Sequence, residues 1–263
     1  MRILLCNDDG IHAPGILSLY HALQGLGEIL IVAPLTVQSA TGHGITFRQP
    51  LMTQTLEPEP GVSGIAVDGR PADCVKLALS SLWPQRFGPG ARPDLVISGM
   101  NMGANVGIHV LYSGTVAAAL EAAFLGVPAI AVSLHHGDSR PRYDVAARHA
   151  RVHIDAILKG AGGRLQPHEC LNLNLPITAA EGPPPPLRLC PMNVHGMVDA
   201  FDARTAPSGE QYYWAAGTPM AFHATEPGSD VDELMKRHAT LTPLRYDLTD
   251  APGMARWQGR IAR

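Results

Sequence analysis

The sequence predicts an α/β protein with a doubly wound, mostly parallel sheet, and three observations lead to this fold class. Short apolar runs at 3–6, 28–33 and 95–98 are typical of buried strands. Between the first two runs, apolar residues recur at helical spacing, beginning near Pro14. A strand, a helix and a second strand in this order indicate a parallel β–α–β unit, and the alternation continues to residue 175.

The remaining elements of this core are predicted in chain order. Residues 41–67 interrupt the alternation with Gly, Thr, Gln and Pro, and we interpret them as an irregular or hairpin insertion. Pro71 then opens a helix, because proline suits the first helical turn. The later elements are a helix over 71–82, a strand over 95–98, a helix over 113–125, a strand over 129–133, a helix over 142–159 and a strand near 171–173.

Four consecutive prolines at 183–186 mark a change of pattern, because such a run forms a stiff extended connector. We therefore divide the chain into a core, residues 1–182, and a C-terminal extension, residues 183–263. The extension contains β-prone stretches such as 211–214, a short helix over 229–237 and a final strand over 240–246. Protruding β-arms of this kind commonly serve oligomerisation, and we predict that role for the extension.

Composition limits the classes of function. The 263 residues carry a net charge of −3 and only 16% charged residues, so no general attraction to a nucleic-acid polymer is expected. The four cysteines lie in or beside apolar runs and are predicted to be buried, reduced thiols, which fits a cytoplasmic protein. No stretch approaches the ~20 apolar residues of a membrane-spanning helix, so no membrane association is expected.

Two adjacent acidic residues, Asp8 and Asp9, follow the first predicted strand and are the candidate catalytic and metal-ligating residues. In a parallel sheet, functional groups gather outside the carboxyl ends of the strands. Adjacent carboxylates repel each other, and a hard cation such as Mg²⁺ or Mn²⁺ between them removes the repulsion. The alternative is an ordinary acidic turn in which Gly10 adopts a positive φ.

Two further loops are predicted at the same edge of the sheet. Residues 34–42 contain Ser39, whose hydroxyl is a plausible neutral ligand only beside carboxylates. Residues 98–107 contain three glycines, which permit close backbone approach to a ligand. Within them, Asn101 offers a side-chain oxygen to a cation, and Asn105 can bond a phosphate oxygen. Each loop alone is equally an ordinary connector, so their convergence is what favours a site.

The helix predicted from residue 113 begins with Ser113, Gly114 and Thr115. The free N–H groups and the positive dipole end of a helix N-terminus bind anions, and two hydroxyls add donors. We predict that these three residues bind phosphate. The alternative is that Ser or Thr caps the helix in the ordinary way.

Together these loops predict metal-assisted phosphoester hydrolysis. A dication polarises a phosphoryl oxygen and activates water, and donors around the phosphate stabilise the charge that develops. Neither a P-loop nor a G-x-G-x-x-G motif is present, which disfavours P-loop ATP hydrolysis and dinucleotide binding. His12 and His43 lie near the acidic turn and the Ser39 loop, and each is a candidate substrate contact or proton shuttle.

These ordered motifs resemble the SurE family of survival-protein nucleotidases. The resemblance is dense over residues 1–135 and thinner beyond them. The chain departs from the family pattern at 208–211 and 237–240, both outside the metal motifs. The matching segments are Asn7-Asp8-Asp9-Gly10, Ala33-Pro34 with Gln38-Ser39, Pro71-Ala72-Asp73-Cys74-Val75, Ser98-Gly99-Met100-Asn101-Met102-Gly103-Ala104-Asn105 and Tyr112-Ser113-Gly114-Thr115-Val116.

The resemblance implies a 5′/3′-nucleotidase that converts nucleoside monophosphates into nucleoside and phosphate, with exopolyphosphatase activity as a second expectation. It implies a Rossmann-like core and a C-terminal arm exchanged between the subunits of a homodimer or homotetramer. Metal-bound water is the expected nucleophile, because an aspartyl-phosphate route would remove one carboxylate from the metal. The implied ligands of one divalent cation per subunit are Asp8, Asp9, Ser39 and Asn101.

Two other interpretations use the same acidic pair. A signalling receiver domain also binds Mg²⁺ after its first strand, but it requires an Asp after the third strand and a Lys after the fifth. The predicted strands at 95–98 and 129–133 are followed by neither residue. A nucleotide-sugar transferase would use the carboxylates to bind a metal and would transfer a sugar instead of releasing phosphate.

Overall fold

A nine-stranded sheet forms the centre of the protein, for which the computed structural model describes residues 1–137, 140–178, 181–218 and 220–261. In chain order, the elements up to residue 175 are β1 (Arg2–Cys6), α1 (Pro14–Ala22), β2 (Glu28–Pro34), β3 (Thr53–Glu59), β4 (Val62–Val67), α2 (Pro71–Leu77), α3 (Trp83–Phe87), β5 (Leu95–Met102), α4 (Gly114–Phe124), β6 (Ala129–Leu134), α5 (Tyr143–Gly160) and β7 (Cys170–Leu175). The later elements are β8 (Leu187–Leu189), β9 (Phe201–Thr205), β10 (Gln211–Ala215), α6 (Asp230–Met235), β11 (Ala239–Leu244) and α7 (Ala251–Ile261).

The sheet has the strand order β3-β4-β2-β1-β5-β6-β7-β11-β8. The six strands from β4 to β7 in this order run parallel, which requires crossover connections longer than a hairpin turn. β3 is antiparallel to β4, and β11 is antiparallel to β7. From β1 the chain builds outward first through β2 and then, on the other side, through β5. This reversal leaves a crevice outside the carboxyl ends of β1 and β5.

Helices cover both faces of the sheet. Successive residues of β1 alternate, so that Ile3 and Leu5 pack with α1 and α5 while Leu4 and Cys6 pack with α2 and α4. All four side chains are fully buried. The doubly wound α/β class predicted from the sequence is therefore confirmed.

The segment 41–67 contains a hairpin at one edge of the sheet. β3 and β4 pair antiparallel, and β4 also pairs parallel with β2, with Ile31 opposite Gly64. The helix predicted over 71–82 continues through a π-helical stretch, Ala78–Leu82, into α3. Trp83 lies fully buried at the start of α3, so the continuation belongs to the core.

Residues after 182 contribute both to the main sheet and to a separate arm. β11 pairs with β7, placing Thr240 opposite Asn174, and β8 pairs with β11. The predicted extension 183–263 is thus not wholly an appendage, since two of its strands complete the sheet. β9 and β10 form a two-stranded hairpin in which every residue is exposed. Residues 262–263 lie outside the described ranges.

Within the described residues, the four cysteines are free and buried, as predicted. No helix in those same ranges is long and apolar enough to cross a bilayer.

Candidate active site

The turn after β1 is shaped by Asn7 and Gly10. The buried side-chain amide nitrogen of Asn7 donates to the Gly10 carbonyl oxygen at 2.8 Å. Gly10 has a φ of +95°, which L side chains rarely adopt. The predicted acidic turn therefore exists, and its surroundings decide whether it suits a cation.

Asp8 meets the first turn of α4. The Thr115 hydroxyl donates to Asp8 Oδ1. A Cβ on Gly114 would lie 2.9 Å from Asp8 Cβ, so only glycine permits this approach. Ser113 caps the helix, because its Oγ accepts from the Val116 backbone nitrogen at 3.1 Å. The structure thus joins the acidic turn to the predicted phosphate-binding helix terminus, with the Thr115 hydroxyl engaged by Asp8.

The buried position of Asp8 raises its pKa to about 6. Desolvation is the main cause, since only 4% of the residue is exposed. The Thr115 hydroxyl hydrogen bond lowers the pKa, and the neighbouring Asp9 charge raises it again. A buried carboxylate with a second carboxylate beside it favours a compensating positive charge.

Asp9 connects the acidic turn to the end of β5. Its Oδ2 accepts a hydrogen bond of 2.9 Å from the Met102 backbone nitrogen. Burial raises its pKa, and this hydrogen bond partly offsets the effect. Asn101 precedes Met102, and its side-chain nitrogen donates to the Gly103 carbonyl oxygen at 2.8 Å. The amide oxygen of Asn101 is consequently the atom suited to ligate a cation.

Ser39 reaches the same region from the loop after β2. The Gln38 backbone nitrogen donates to the Asp8 carbonyl oxygen at 2.8 Å, which ties this loop to the acidic turn. Ser39 and Asp9 both line a cavity of about 600 Å³. The cavity also has Met102 and Tyr143 in its walls. Ser39, Asp9 and the end of β5 therefore share one opening.

Asn105 is bound into a different polar cluster. Its side-chain nitrogen donates to Ser133 Oγ at 2.8 Å, at the end of β6. Its backbone nitrogen donates to Asn174 Oδ1 at 2.8 Å, and its carbonyl oxygen accepts from Asn172 at 2.7 Å. Of the predicted phosphate-binding residues, Asn105 is thus held by the ends of β6 and β7, whereas Gly114 and Thr115 contact Asp8.

The donor set fits a hard divalent cation. Within the described residues, no group of three or more His, Cys, Asp or Glu side chains is placed to hold a metal. Two carboxylates would therefore be completed by neutral oxygens, for which Ser39 and Asn101 are the predicted sources. Mg²⁺ commonly binds through one or two carboxylates, with water filling the remaining positions.

Comparison with known proteins decides the family. The model of the family described as "Survival protein SurE" matches residues 3–196. The chain belongs to the SurE family. It is 44% identical over 257 residues to the 5′-nucleotidase SurE of Pelotomaculum thermopropionicum, covering 97% of this chain and 93% of the relative. It is also 44% identical to the 5′-nucleotidase SurE of Solidesulfovibrio magneticus, covering 99% and 98%.

A solved SurE structure has the same fold. The crystal structure of the SurE protein from Aquifex aeolicus superimposes with a TM-score of 0.79 at 32% identity, covering 97% of each chain. The resemblance stated from the motifs is therefore confirmed over nearly the whole chain. The receiver and transferase interpretations gain no support from it.

Neither candidate histidine of this SurE chain forms a hydrogen bond or an ion pair with Asp8 or Asp9, all four residues being described by the structure. His12 is exposed on the loop before α1. His43 Nε2 lies 2.8 Å from Glu121 Oε2, and its ring stacks with Phe124 at 6.0 Å between centroids. Since Glu121 lies seven residues beyond Gly114, this contact is about 10 Å along α4 from the helix terminus.

Sequence reasoning missed several residues that hold the SurE site together. Glu121 is 1% exposed and binds both His43 and Lys76 from two other segments. Asn172 and Asn174 lie buried in β7 and hold the backbone of Asn105. Polar residues inside apolar runs are the signal that singles out all three, but their partners depend on packing between distant elements.

Proposed function

We propose that this chain is a divalent-cation-dependent 5′/3′-nucleotidase that hydrolyses nucleoside monophosphates to nucleoside and phosphate. The observation that carries the proposal is the contact of Asp8 with Gly114 and Thr115, which combines an acidic turn with a helix N-terminus at the sheet edge. Membership of the SurE family supports it, because the relatives compared above are named 5′-nucleotidases.

Each residue of the site has a proposed task. Asp8 and Asp9 bind the cation, and Ser39 and Asn101 add neutral oxygens. A cation held by these four residues would polarise the phosphoryl oxygen and lower the pKa of water. The backbone N–H groups at the start of α4 hold the phosphate and orient it for attack. Attack of water on phosphorus breaks the P–O bond to the nucleoside, whose oxygen leaves with a proton.

The test is phosphate release from a panel of nucleoside 5′- and 3′-monophosphates. We expect release with added Mg²⁺ or Mn²⁺ and none with EDTA. Asp9→Asn should lose this activity, because its carboxylate is half of the anionic charge at the site. Asp155→Asn serves as the matched control, since Asp155 lies on α5 in a surface pair with Arg151. Absence of metal-dependent release from every nucleotide in the panel would refute the proposal.

The proposal extends to assembly as a homodimer or homotetramer through the C-terminal arm. The β9–β10 hairpin exposes Phe201, Tyr213 and Trp214 at 67%, 61% and 61%, which is unusual for large aromatic residues on a monomer. Light scattering after size exclusion measures the mass. A Tyr213→Ser/Trp214→Ser variant should shift the protein toward monomer, and an unchanged mass would exclude the hairpin as the contact.

Two finer parts of the proposal concern substrate range and location. Exopolyphosphatase activity would use the same site, because a terminal phosphate offers the same group to attack. Phosphate release from tripolyphosphate tests this, and it should disappear in Asp9→Asn. A cytoplasmic location is supported by the four free, buried thiols and is tested by cell fractionation.

A further inference from the structure

The cavity shared by Asp9 and Ser39 has one wall that the chemistry of phosphate release does not use. This wall contains Val37, Met102 and Tyr143, which are apolar or aromatic. A volume of about 600 Å³ exceeds what a phosphate group needs and lies within the range of small-molecule pockets. The remainder of the cavity can therefore receive the group attached to the phosphate.

Val37 and Met102 are 64% and 56% exposed at this opening. Such exposure leaves both side chains uncovered by the rest of the chain. The backbone nitrogen of Met102 donates to Asp9 Oδ2 at 2.9 Å, which anchors the main chain of Met102 beside Asp9, and both residues line the cavity. Methionine is flexible and polarizable, which suits contact with flat rings.

Tyr143 supplies the rigid part of the wall. It begins α5 and packs partly buried against the core that contains α1. A Cβ on Gly15 would lie 3.3 Å from Tyr143 Cε1, which places the ring against the first turn of α1. An aromatic ring fixed in this way loses little entropy on binding, and stacking a base on it contributes about 1–3 kcal/mol.

We propose that Val37, Met102 and Tyr143 form the wall that contacts the nucleoside of the substrate, an inference that rests on the nucleotidase function proposed above. Arg140 and Asp144 lie at the same cavity and offer a donor and an acceptor to ribose or base. The wall gives a nucleotide contacts that a simple phosphomonoester lacks. Its predicted effect is therefore on substrate affinity and on discrimination between these two classes.

A second cavity offers the rival location. It has a volume of about 530 Å³ and runs along α4 past Ser113, Ala117 and Leu120. It touches the phosphate-binding turn only through Ser113, whose Oγ already caps the helix. Asp9 and Ser39, in contrast, line the first cavity directly. The phosphate of the substrate must lie within reach of these proposed cation ligands, which favours the first cavity for the group attached to it.

Calorimetry in EDTA measures the binding of adenosine without metal. Kinetic assays with added metal then measure kcat/KM for AMP and for glycerol 2-phosphate. Val37→Ala/Met102→Ala should weaken adenosine binding and lower kcat/KM for AMP by about tenfold, and leave glycerol 2-phosphate unaffected. Val194→Ala/Met235→Ala is the matched control, because these side chains are 63% and 57% exposed outside the cavity. The adenosine affinity of this control and its kcat/KM for both substrates should equal those of the wild type.

Tyr143 is tested by a pair of variants. Tyr143→Leu removes the ring and should weaken adenosine binding, whereas Tyr143→Phe keeps the ring and should restore it. If Tyr143→Leu does not fold, the Val37→Ala/Met102→Ala variant still tests the proposal. Leu120→Trp, which fills the rival cavity, should leave adenosine binding unchanged.

Two outcomes overturn the inference: equal effects on AMP and glycerol 2-phosphate, or loss of adenosine binding in Leu120→Trp but not in the alanine double variant. A wild type that binds adenosine through this wall but hydrolyses no nucleotide would instead refute the proposed function alone. The binding measurement needs no metal, so the two failures are distinguishable.

Discussion

Asp8 combines a functional charge with a costly position. It is 4% exposed and shares the turn with Asp9, so its ionised form is disfavoured unless a positive charge lies beside it. We predict that Asp8→Asn lowers kcat/KM for nucleoside monophosphates by about two orders of magnitude. The fold should persist, because an asparagine oxygen can still accept from Thr115. Phosphate release and circular dichroism measure the two properties.

The raised pKa of Asp8 also predicts a pH dependence of stability without metal. The folded state holds the Asp8 proton more tightly than the unfolded state, since the pKa rises from 3.8 to about 6. This contribution to the free energy of unfolding is fully present below pH 4 and lost as pH rises through 6. Its size is about 3 kcal/mol.

Asp8→Asn lacks this titration, so in EDTA it should be more stable than the wild type at pH 8 and lose that advantage toward pH 4. Urea unfolding at several pH values provides the measurement. A stability difference that does not change with pH would contradict the argument from burial.

Much of the site followed from the sequence at this scale, because position after a strand places a residue at the sheet edge. It predicted that Asp8, Asp9, Ser39 and Asn101 share one edge, and the structure brings their segments together there, while their role as cation ligands stays a prediction. The bond from Thr115 to Asp8 could not be found, because it depends on how closely α4 approaches β1. The Asn105 cluster depends likewise on the side chains of β7.

At the scale of elements, the first turn of α4 has no room for a side chain at residue 114. A Cβ at residue 114 would lie 3.0 Å from both Asp8 Oδ2 and Pro71 Cγ. We predict that Gly114→Ala costs about 1–3 kcal/mol of unfolding free energy and most of the activity. Gly160→Ala is the control, since a Cβ there has nothing within 4 Å at the end of α5. Equal unfolding free energies and equal activities of the two variants would contradict this prediction.

The segment that contains Ser39 begins in the structure after β2 and is held by neighbouring elements over residues 35–46. The Gly42 backbone nitrogen donates to the Tyr112 carbonyl oxygen at 3.0 Å. His43 binds the buried Glu121, which also lies 3.2 Å from Lys76 Nζ. These contacts fix the loop over α4, with Ser39 at its middle.

Glu121→Gln should loosen this loop, because the substitution keeps the side-chain volume and removes the charge that holds Lys76 and His43. We expect faster hydrogen exchange in residues 38–46 and a severalfold higher KM, with kcat less affected. Glu226→Gln, at a side chain 54% exposed, is the control. An unchanged rate of hydrogen exchange in residues 38–46 would show that the contacts other than Glu121 are enough to hold the loop.

For the whole molecule, Asp230 joins the C-terminal segment to the loop after β5. It is fully buried, and its carboxylate accepts from the backbone nitrogens of Gly107 at 2.8 Å and Asn193 at 2.9 Å. We predict that Asp230→Asn lowers the free energy of unfolding by about 2–3 kcal/mol, since one acceptor becomes a donor facing an N–H group. Denaturant unfolding tests this, with Asp247→Asn as an exposed control.

The parallel core was predictable because the spacing of apolar residues and the types of residue in the turns are local properties of the chain. β8 was missed because three residues are too few to show a period. α7 was missed because Pro252, Gly253 and Gly259 hide its helical pattern. The insertion of β11 beside β7 is a long-range pairing that no local signal specifies.

The bond from Asp230 to Gly107 has a consequence for the chain while it is being translated. Asp8 and Asp9 are translated long before the carboxylate of Asp230, which secures the loop after β5. A nascent chain, or a fragment cut short before that residue, carries the acidic pair without its full support. We therefore expect the proposed phosphate release only from chains that extend beyond residue 230.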